Sequence, residues 1–143
     1  ASSWFGDLLE NKNFRPIYFD GLAVIYVKHE SFPKINSITK ESLMSEIHGF
    51  DLVNSFNSIQ VKKPSRMIAV VQSFLMKQYF PIVEQSKATF CFTYGFEEAA
   101  LYYSVLGINN ATINPNNMYY NLFLYYKSQN QTLKASYCLN RSK

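Results

Sequence analysis

The chain has 143 residues, 48% hydrophobic and only 17% charged, which supplies one packed core but not two full domains. That balance excludes a disordered segment, which would be poor in apolar residues and rich in charge. The formal net charge is +4, yet the 14 basic residues are scattered and Lys62-Lys63 sits beside a chain break, which argues against a nucleic-acid surface. No run of about 18 apolar residues occurs, so no segment reads as spanning a bilayer. Ala1-Ser2-Ser3-Trp4-Phe5 lacks the basic-then-apolar layout of a secretory signal, and the chain reads as a piece of a longer protein.

Two β-rich runs come first, Phe14 to Phe19 and Leu22 to Lys28. Asp20-Gly21 joins them, and that dipeptide predicts a two-residue type I′ hairpin turn. Pro16 has no amide hydrogen to give a ladder, so it belongs at an edge or near the strand start. An isolated hairpin is marginal in water, so this one is expected to lie on helices or pair further. Ser31 to Thr39 is turn-rich and connects to a helix over about 40 to 48, with Thr39 as its N-cap and Leu43, Ile47 and Phe50 facing inward. Asp51 to Phe56 would continue that helix after Gly49. Lys62-Lys63-Pro64-Ser65 is the clearest break, and Ser65 would cap a helix whose stripe is Met67, Val70, Val71 and Phe74.

Pro81 suits the first turn of the next helix, lined by Ala88, Phe90 and Tyr94. The stretch from Ala88 to Tyr94 also alternates like a strand, but its helical flanks favour helix. Phe96, Ala99, Ala100 and Tyr103 then form an i, i+3, i+4, i+7 stripe, bounded by Gly95 before it and by Gly107 and the turn-rich run Asn109 to Pro115 after it. Tyr119, Leu122, Phe123 and Tyr126 repeat the stripe. After a polar break from Ser128 to Gln131, Ala135, Cys138 and Leu139 carry it onto a last helix. Ala100 and Ala135 play the same part about one helical-hairpin repeat apart, and such hairpins hide their apolar faces only by stacking. The expected fold is mainly α, with five to seven helices as stacked hairpins and a small N-terminal β-hairpin. Its regions are 1–30 (hairpin), 31–64 (linker and short helices) and 65–143 (helical repeats), together one compact unit.

Asn121-Leu122, Tyr126, Ala135 and Leu139, with the joint Ile113-Asn114-Pro115-Asn116-Asn117, resemble the tetratricopeptide repeat over residues 96–141, departing from it at Phe123 and Leu133. The resemblance implies a ligand groove on the first helix of the pair, whose outward residues are Asn117, Tyr120, Asn121, Leu124 and Lys127. Asn121 would bond a peptide backbone, Tyr120 would give apolar contact and Lys127 would pair with an acidic group. The competing use of Tyr120 and Leu124 is packing against a neighbouring repeat or the hairpin. Separately, the pattern from Phe14 through Ile17-Tyr18-Phe19-Asp20 to Ala23-Val24-Ile25-Tyr26-Val27-Lys28 resembles the soluble C-terminal region that follows the membrane domain in polytopic lipid-linked-sugar glycosyltransferases. That resemblance implies an extracytoplasmic location. The family's catalytic acids lie in its membrane domain, and none carries over to this chain.

Chemistry-bearing residues are sparse. Cys91 and Cys138 have no C-x-x-C spacing and no neighbouring His, which speaks against zinc and for small buried side chains. An oxidising compartment would allow a disulfide between them, but spacing does not predict one. His29 beside Glu30 and His48 near Glu46 read as surface residues rather than oriented bases. No nucleophile elbow, zincin, P-loop or dinucleotide fingerprint occurs. The expectation is a non-catalytic protein-interaction or scaffold domain with a protein or peptide ligand and neither cofactor nor metal, attached through a missing segment to a membrane glycosyltransferase-like parent. A stand-alone cytoplasmic adaptor is the alternative, and an enzyme with an unrecognised site comes third. The last helix leaves an apolar edge available for self-association.

Overall fold

The computed structural model describes residues 11, 13–45, 47, 51, 54–60, 80–111 and 115–143. Within them a two-stranded antiparallel sheet, β1 (Phe14–Phe19) and β2 (Val24–Lys28), precedes six helices. These are α1 (Lys40–Ser45), α2 (Ser55–Gln60), α3 (Ile82–Thr93), α4 (Glu97–Asn110), α5 (Asn116–Ser128) and α6 (Thr132–Arg141). The fold is thus mainly helical with a small sheet. The helix expected after Ser65 lies outside the described residues.

The hairpin forms where expected, but its turn does not. β2 begins at Val24, so Asp20 to Ala23 make a four-residue loop instead of a two-residue type I′ turn. The cause is the Asp20 side chain: Oδ1 accepts the amides of Leu22 (2.8 Å) and Ala23 (2.9 Å), closing the loop locally. Pairing runs Phe14 with Lys28, Arg15 with Val27 and Pro16 with Tyr26, then shifts so that Tyr18 meets Ile25. Ile17 is the extra residue of a bulge, placed next to the proline that could not have donated to a ladder. The linker follows β1: Ile38 N–H donates to the Pro16 carbonyl (2.9 Å) and Arg15 Nη2 to the Phe32 carbonyl (2.6 Å).

α1 starts as Thr39 predicts. Ser42 N–H donates to Thr39 Oγ1 (3.2 Å) while Thr39 N–H donates back to Ser42 Oγ (3.1 Å), a reciprocal box. Its described span ends at Ser45, and Ile47 already lies outside it, its N–H bonded to the Met44 carbonyl in a tighter turn, so the helix falls short of the expected 48. Leu43 and Ile47 are buried as expected; Phe50 lies outside the described residues. Asp51 does not continue α1. Its carboxylate accepts Asn54 N–H (3.2 Å) and Nδ2 (2.6 Å), and the separate helix α2 opens at Ser55.

The last four helices make two hairpins, α3–α4 and α5–α6, and α5 also leans on both α3 and α4. The hairpins share their punctuation. Pro115 follows Pro81 by 34 positions, and both stand just before a helix with nearly the same backbone, φ −80 and ψ 68 against φ −87 and ψ 62. Phe96 and Gln131, before α4 and α6, repeat that conformation. It is the inverse γ-turn, closed at Pro81 by Ile82 N–H to the Phe80 carbonyl at 2.9 Å, and none of the four starts uses a side-chain cap. The turns inside the hairpins match too. Gly95 (φ 73) and Asn130 (φ 58) are left-handed, and Phe96 N–H to the Cys91 carbonyl (2.8 Å) has its counterpart in Gln131 N–H to the Tyr126 carbonyl (2.9 Å). Both are Schellman endings.

α4 is the element on which the rest is laid. Eight of its fourteen residues are buried, on more than one face, and Glu98, Tyr102, Leu106 and Asn109 form the remaining half-buried strip. Leu101, Val105 and Ile108 belong to a core with Phe56, Met118, Leu122 and Cys138; Ala99, Ala100 and Tyr103 belong to another with Leu43, Ala88, Phe90 and Cys91. The buried Ser104 hydroxyl is satisfied by its own helix, donating to the Ala100 carbonyl at 2.8 Å. Gly107, expected to follow this helix, lies inside it, because a Cβ there would fall on the Met118 thioether. Two predictions follow from these contacts. Gly95→Ala should cost about 1 kcal/mol of left-handed strain while Gly95→Asn, which copies the other turn, costs less, as read from urea midpoints. Gly107→Ala should lower stability by about 1–3 kcal/mol in the same assay, because the fully buried Met118 must repack.

Candidate functional site

On α5 the buried residues Met118, Tyr119, Leu122 and Tyr126 take one face, leaving Asn117, Tyr120, Asn121, Leu124 and Lys127 on the other. The five expected groove residues are therefore brought together along a single stripe. Tyr120 is 48% exposed and Leu124 47%, so neither is packed under a neighbouring hairpin or strand. Phe123 flanks the stripe half-buried, with the Tyr120 ring 5.7 Å from it and Lys127 Nζ 5.7 Å from its centroid. Asn121 is half-buried, and Asn117 and Lys127 are exposed.

The 34-residue offset carries these positions onto α3 as Val83, Ser86, Lys87, Phe90 and Thr93. There the face is partly covered: Phe90 is buried, Val83, Ser86 and Lys87 are half-buried, and Thr93 stays exposed. The hairpin lies across it, with Phe19 stacked on Phe90 (centroids 4.1 Å apart, 21° between planes). Tyr94 Oη donates to Tyr26 Oη at 2.7 Å. Gly21 (φ 99) passes so close that a Cβ on it would lie 2.8 Å from Val83 Cγ1. Phe90, Tyr94 and Phe96 continue the aromatic contact towards α4. The chain thus covers the first hairpin's outer helix and leaves the equivalent face of the second open. Sequence reasoning found the open stripe and missed the covered one; the signal for it was the aromatic content of β1 together with the repeat spacing.

Electrostatics in this region are mild. Asp20 is held below the usual carboxylate range by the Ala23 and Leu22 amides; the hydrogen bond that Tyr18 Oη donates to Asp20 Oδ2 (3.1 Å), and then the Asp20 charge, raise that phenol. Burial pushes the Tyr94 phenol up, with the Tyr26 hydrogen bond adding to it. On the other core, burial pushes Tyr126 and Cys138 each up to about 12. Neither cysteine is in a disulfide; both are buried, and they sit in different cores. His29 is exposed; His48, Glu46 and Lys62-Lys63 lie outside the described residues. Among the described residues no group of His, Cys, Asp and Glu could hold a metal ion, and no helix is long and apolar enough to cross a membrane.

Comparison with protein-family models, curated proteins and solved structures finds no match for this chain.

The raised Cys138 and Tyr126 values give a pH dependence with a definite sign. The unfolded thiol ionises near 9 and the folded one near 12, so the stabilisation is complete below about pH 9 and is lost as pH rises from there through 12. Urea midpoints should hold steady from pH 7 to 8 and fall between pH 9 and 11. Cys138→Ala should flatten that fall.

Proposed function

We propose that this chain is a non-catalytic interaction module of the tetratricopeptide-like kind, and that the α5 stripe receives an extended peptide carrying an aromatic side chain. One observation supports this above the others. The equivalent face of α3 is already occupied by such a segment from the chain itself, β1 with Phe19 laid on Phe90. A face with the same helical setting and an exposed Leu124 where Phe90 stands is suited to the same kind of partner. Asn121 offers amide and carbonyl to a peptide backbone. Lys127, the one charge on the stripe, favours an acidic residue at that end of the ligand.

The setting we favour is the extracytoplasmic part of a membrane glycosyltransferase-like parent, on the resemblance of the hairpin segment. A stand-alone cytoplasmic adaptor has one observation in its favour, two buried cysteines outside any disulfide, which suit a reducing compartment. Reading the encoding gene upstream of Ala1 separates them: several apolar spans of about 20 residues belong to the first setting and their absence to the second.

The binding reading is tested with an array of nonapeptides that vary aromatic and acidic positions. Binders should prefer an aromatic residue, and Tyr120→Ala or Leu124→Ala should weaken them by about tenfold without moving the urea midpoint, since both side chains are half exposed. Lys127→Glu should reverse the acidic preference. Binders indifferent to all three variants, or no binders, would overturn the proposal.

A further inference from the structure

The two edges of the hairpin sheet are finished differently. Ladder bonds alternate along an antiparallel pair, so the direction of each backbone group follows from that of its neighbours. Asp20 N–H donates to the Ala23 carbonyl (3.4 Å) and His29 N–H to the Asn13 carbonyl (2.8 Å), which turns the odd-numbered residues of β2 towards β1. Val24, Tyr26 and Lys28 therefore aim their amides and carbonyls at the outer edge. The outer edge of β1 is blunted by Pro16, by the bulge at Ile17 and by the linker, whose Ile38 N–H bonds the Pro16 carbonyl. β2 has neither proline nor bulge. Past Gly21, which touches α3 at Val83, the two elements part and leave a cleft of about 280 Å³ between Val24 and the exposed Thr89 and Thr93. Among the described residues, nothing bonds the backbone of Val24 or Tyr26 at this edge.

The unpaired groups fit a copy of themselves. With two β2 strands antiparallel about a two-fold axis through Ile25, Val24 faces the partner's Tyr26, and each gives and takes one bond. Moving the axis to Tyr26 would call on the Lys28 carbonyl, which already accepts Ser31 and Phe32 N–H at 3.2 Å each. Moving it to Val24 would call on Leu22 N–H, already given to Asp20 Oδ1. With the axis at Ile25, that side chain, 50% exposed on the sheet face turned from α3, meets its twin, and Lys28 falls opposite Leu22, away from the partner's Lys28. We propose that this chain forms a two-fold dimer by pairing β2 with the partner's β2, making one four-stranded sheet. β2 has five residues, about 17 Å of strand, so the interface lies below the ~1,200 Å² of a stable complex and the dimer forms only at high concentration. Assembly stops at two chains, because the β1 edges left outside are the blunted ones. The α5 stripe takes no part in it.

Sedimentation equilibrium should show the 16.6 kDa monomer at ~1 μM and mostly dimer at ~1 mM. Ile25→Lys sets like charges opposite each other on the axis and should raise the half-dimer concentration about tenfold. Its urea midpoint in dilute solution should be unchanged, since the side chain points away from the helices. Ile25→Cys should crosslink in oxidised glutathione, because a non-hydrogen-bonded pair brings the Cα atoms to about 4.5 Å, whereas Val27→Cys should not. Tyr120→Ala should leave the dimer intact. A monomer over the whole range, crosslinking at Val27 equal to that at Ile25, or a dimer that Tyr120→Ala dissolves and Ile25→Lys spares would each overturn the pairing.

Discussion

A helix buried on more than one face needs more than one partner to cover it, and α4 imposes that demand on the whole chain. Ala99, Ala100 and Tyr103 look towards α3 and α1, while Leu101, Val105 and Ile108 look towards α2, α5 and α6. No single partner helix could bury both sets. Small residues set how closely partners come: Ala88 and Ala100 are fully buried, and Gly107 leaves room for the Met118 side chain. The two cores are therefore one construction with α4 as the shared wall. Cys91 and Cys138 fall on opposite sides of it, which is why the thiols stay apart and fill space as small apolar groups.

Around that wall the chain builds the same hairpin twice and finishes it differently. The helix starts at Pro81 and Pro115 and the left-handed turns at Gly95 and Asn130 are near copies in backbone geometry. What differs is the cover. β1 and β2 lie on α3 through Phe19 and the Tyr26–Tyr94 hydroxyl pair, whereas α2 reaches the second hairpin from another side, where Phe56 meets the edges of Tyr126 and Tyr137 at 5.4 Å each. Lys134 lies over the Phe56 and Tyr126 rings and helps hold that contact. The asymmetry leaves one outer helix face dressed and its equivalent bare, and both the open α5 stripe and the small cleft trace back to it.

Much of this was readable before any coordinates. In the stripes Phe96, Ala99, Ala100, Tyr103 and Tyr119, Leu122, Phe123, Tyr126 all but the half-buried Phe96 and Phe123 are buried, because a 3.6-residue period marks the side that must be hidden. The helix from Ile82 to Thr93 prevailed over the strand-like alternation of Ala88 to Tyr94, since that segment packs against α4 along its length. Local rules failed where a side chain or a distant contact intervened. Asp20-Gly21 predicts a short turn from backbone preference alone, but the Asp20 carboxylate captured two amides and lengthened the loop. Gly107 reads as punctuation, yet it serves as clearance for a methionine eleven positions further on.

The amino-acid sequence by itself determined the hairpin, the helices and which face of each had to be buried, because periodicity, turn residues and capping groups act over a few neighbouring positions. It also marked Asn117, Tyr120, Asn121, Leu124 and Lys127 as one side of one helix. Only the tertiary structure decided that this side stays open while its counterpart on α3 is covered, and that a cavity remains beside Gly21. Those outcomes depend on how far apart β1 and α3 come to rest, a distance set by packing between segments more than sixty residues apart in the chain, such as Tyr26 and Tyr94.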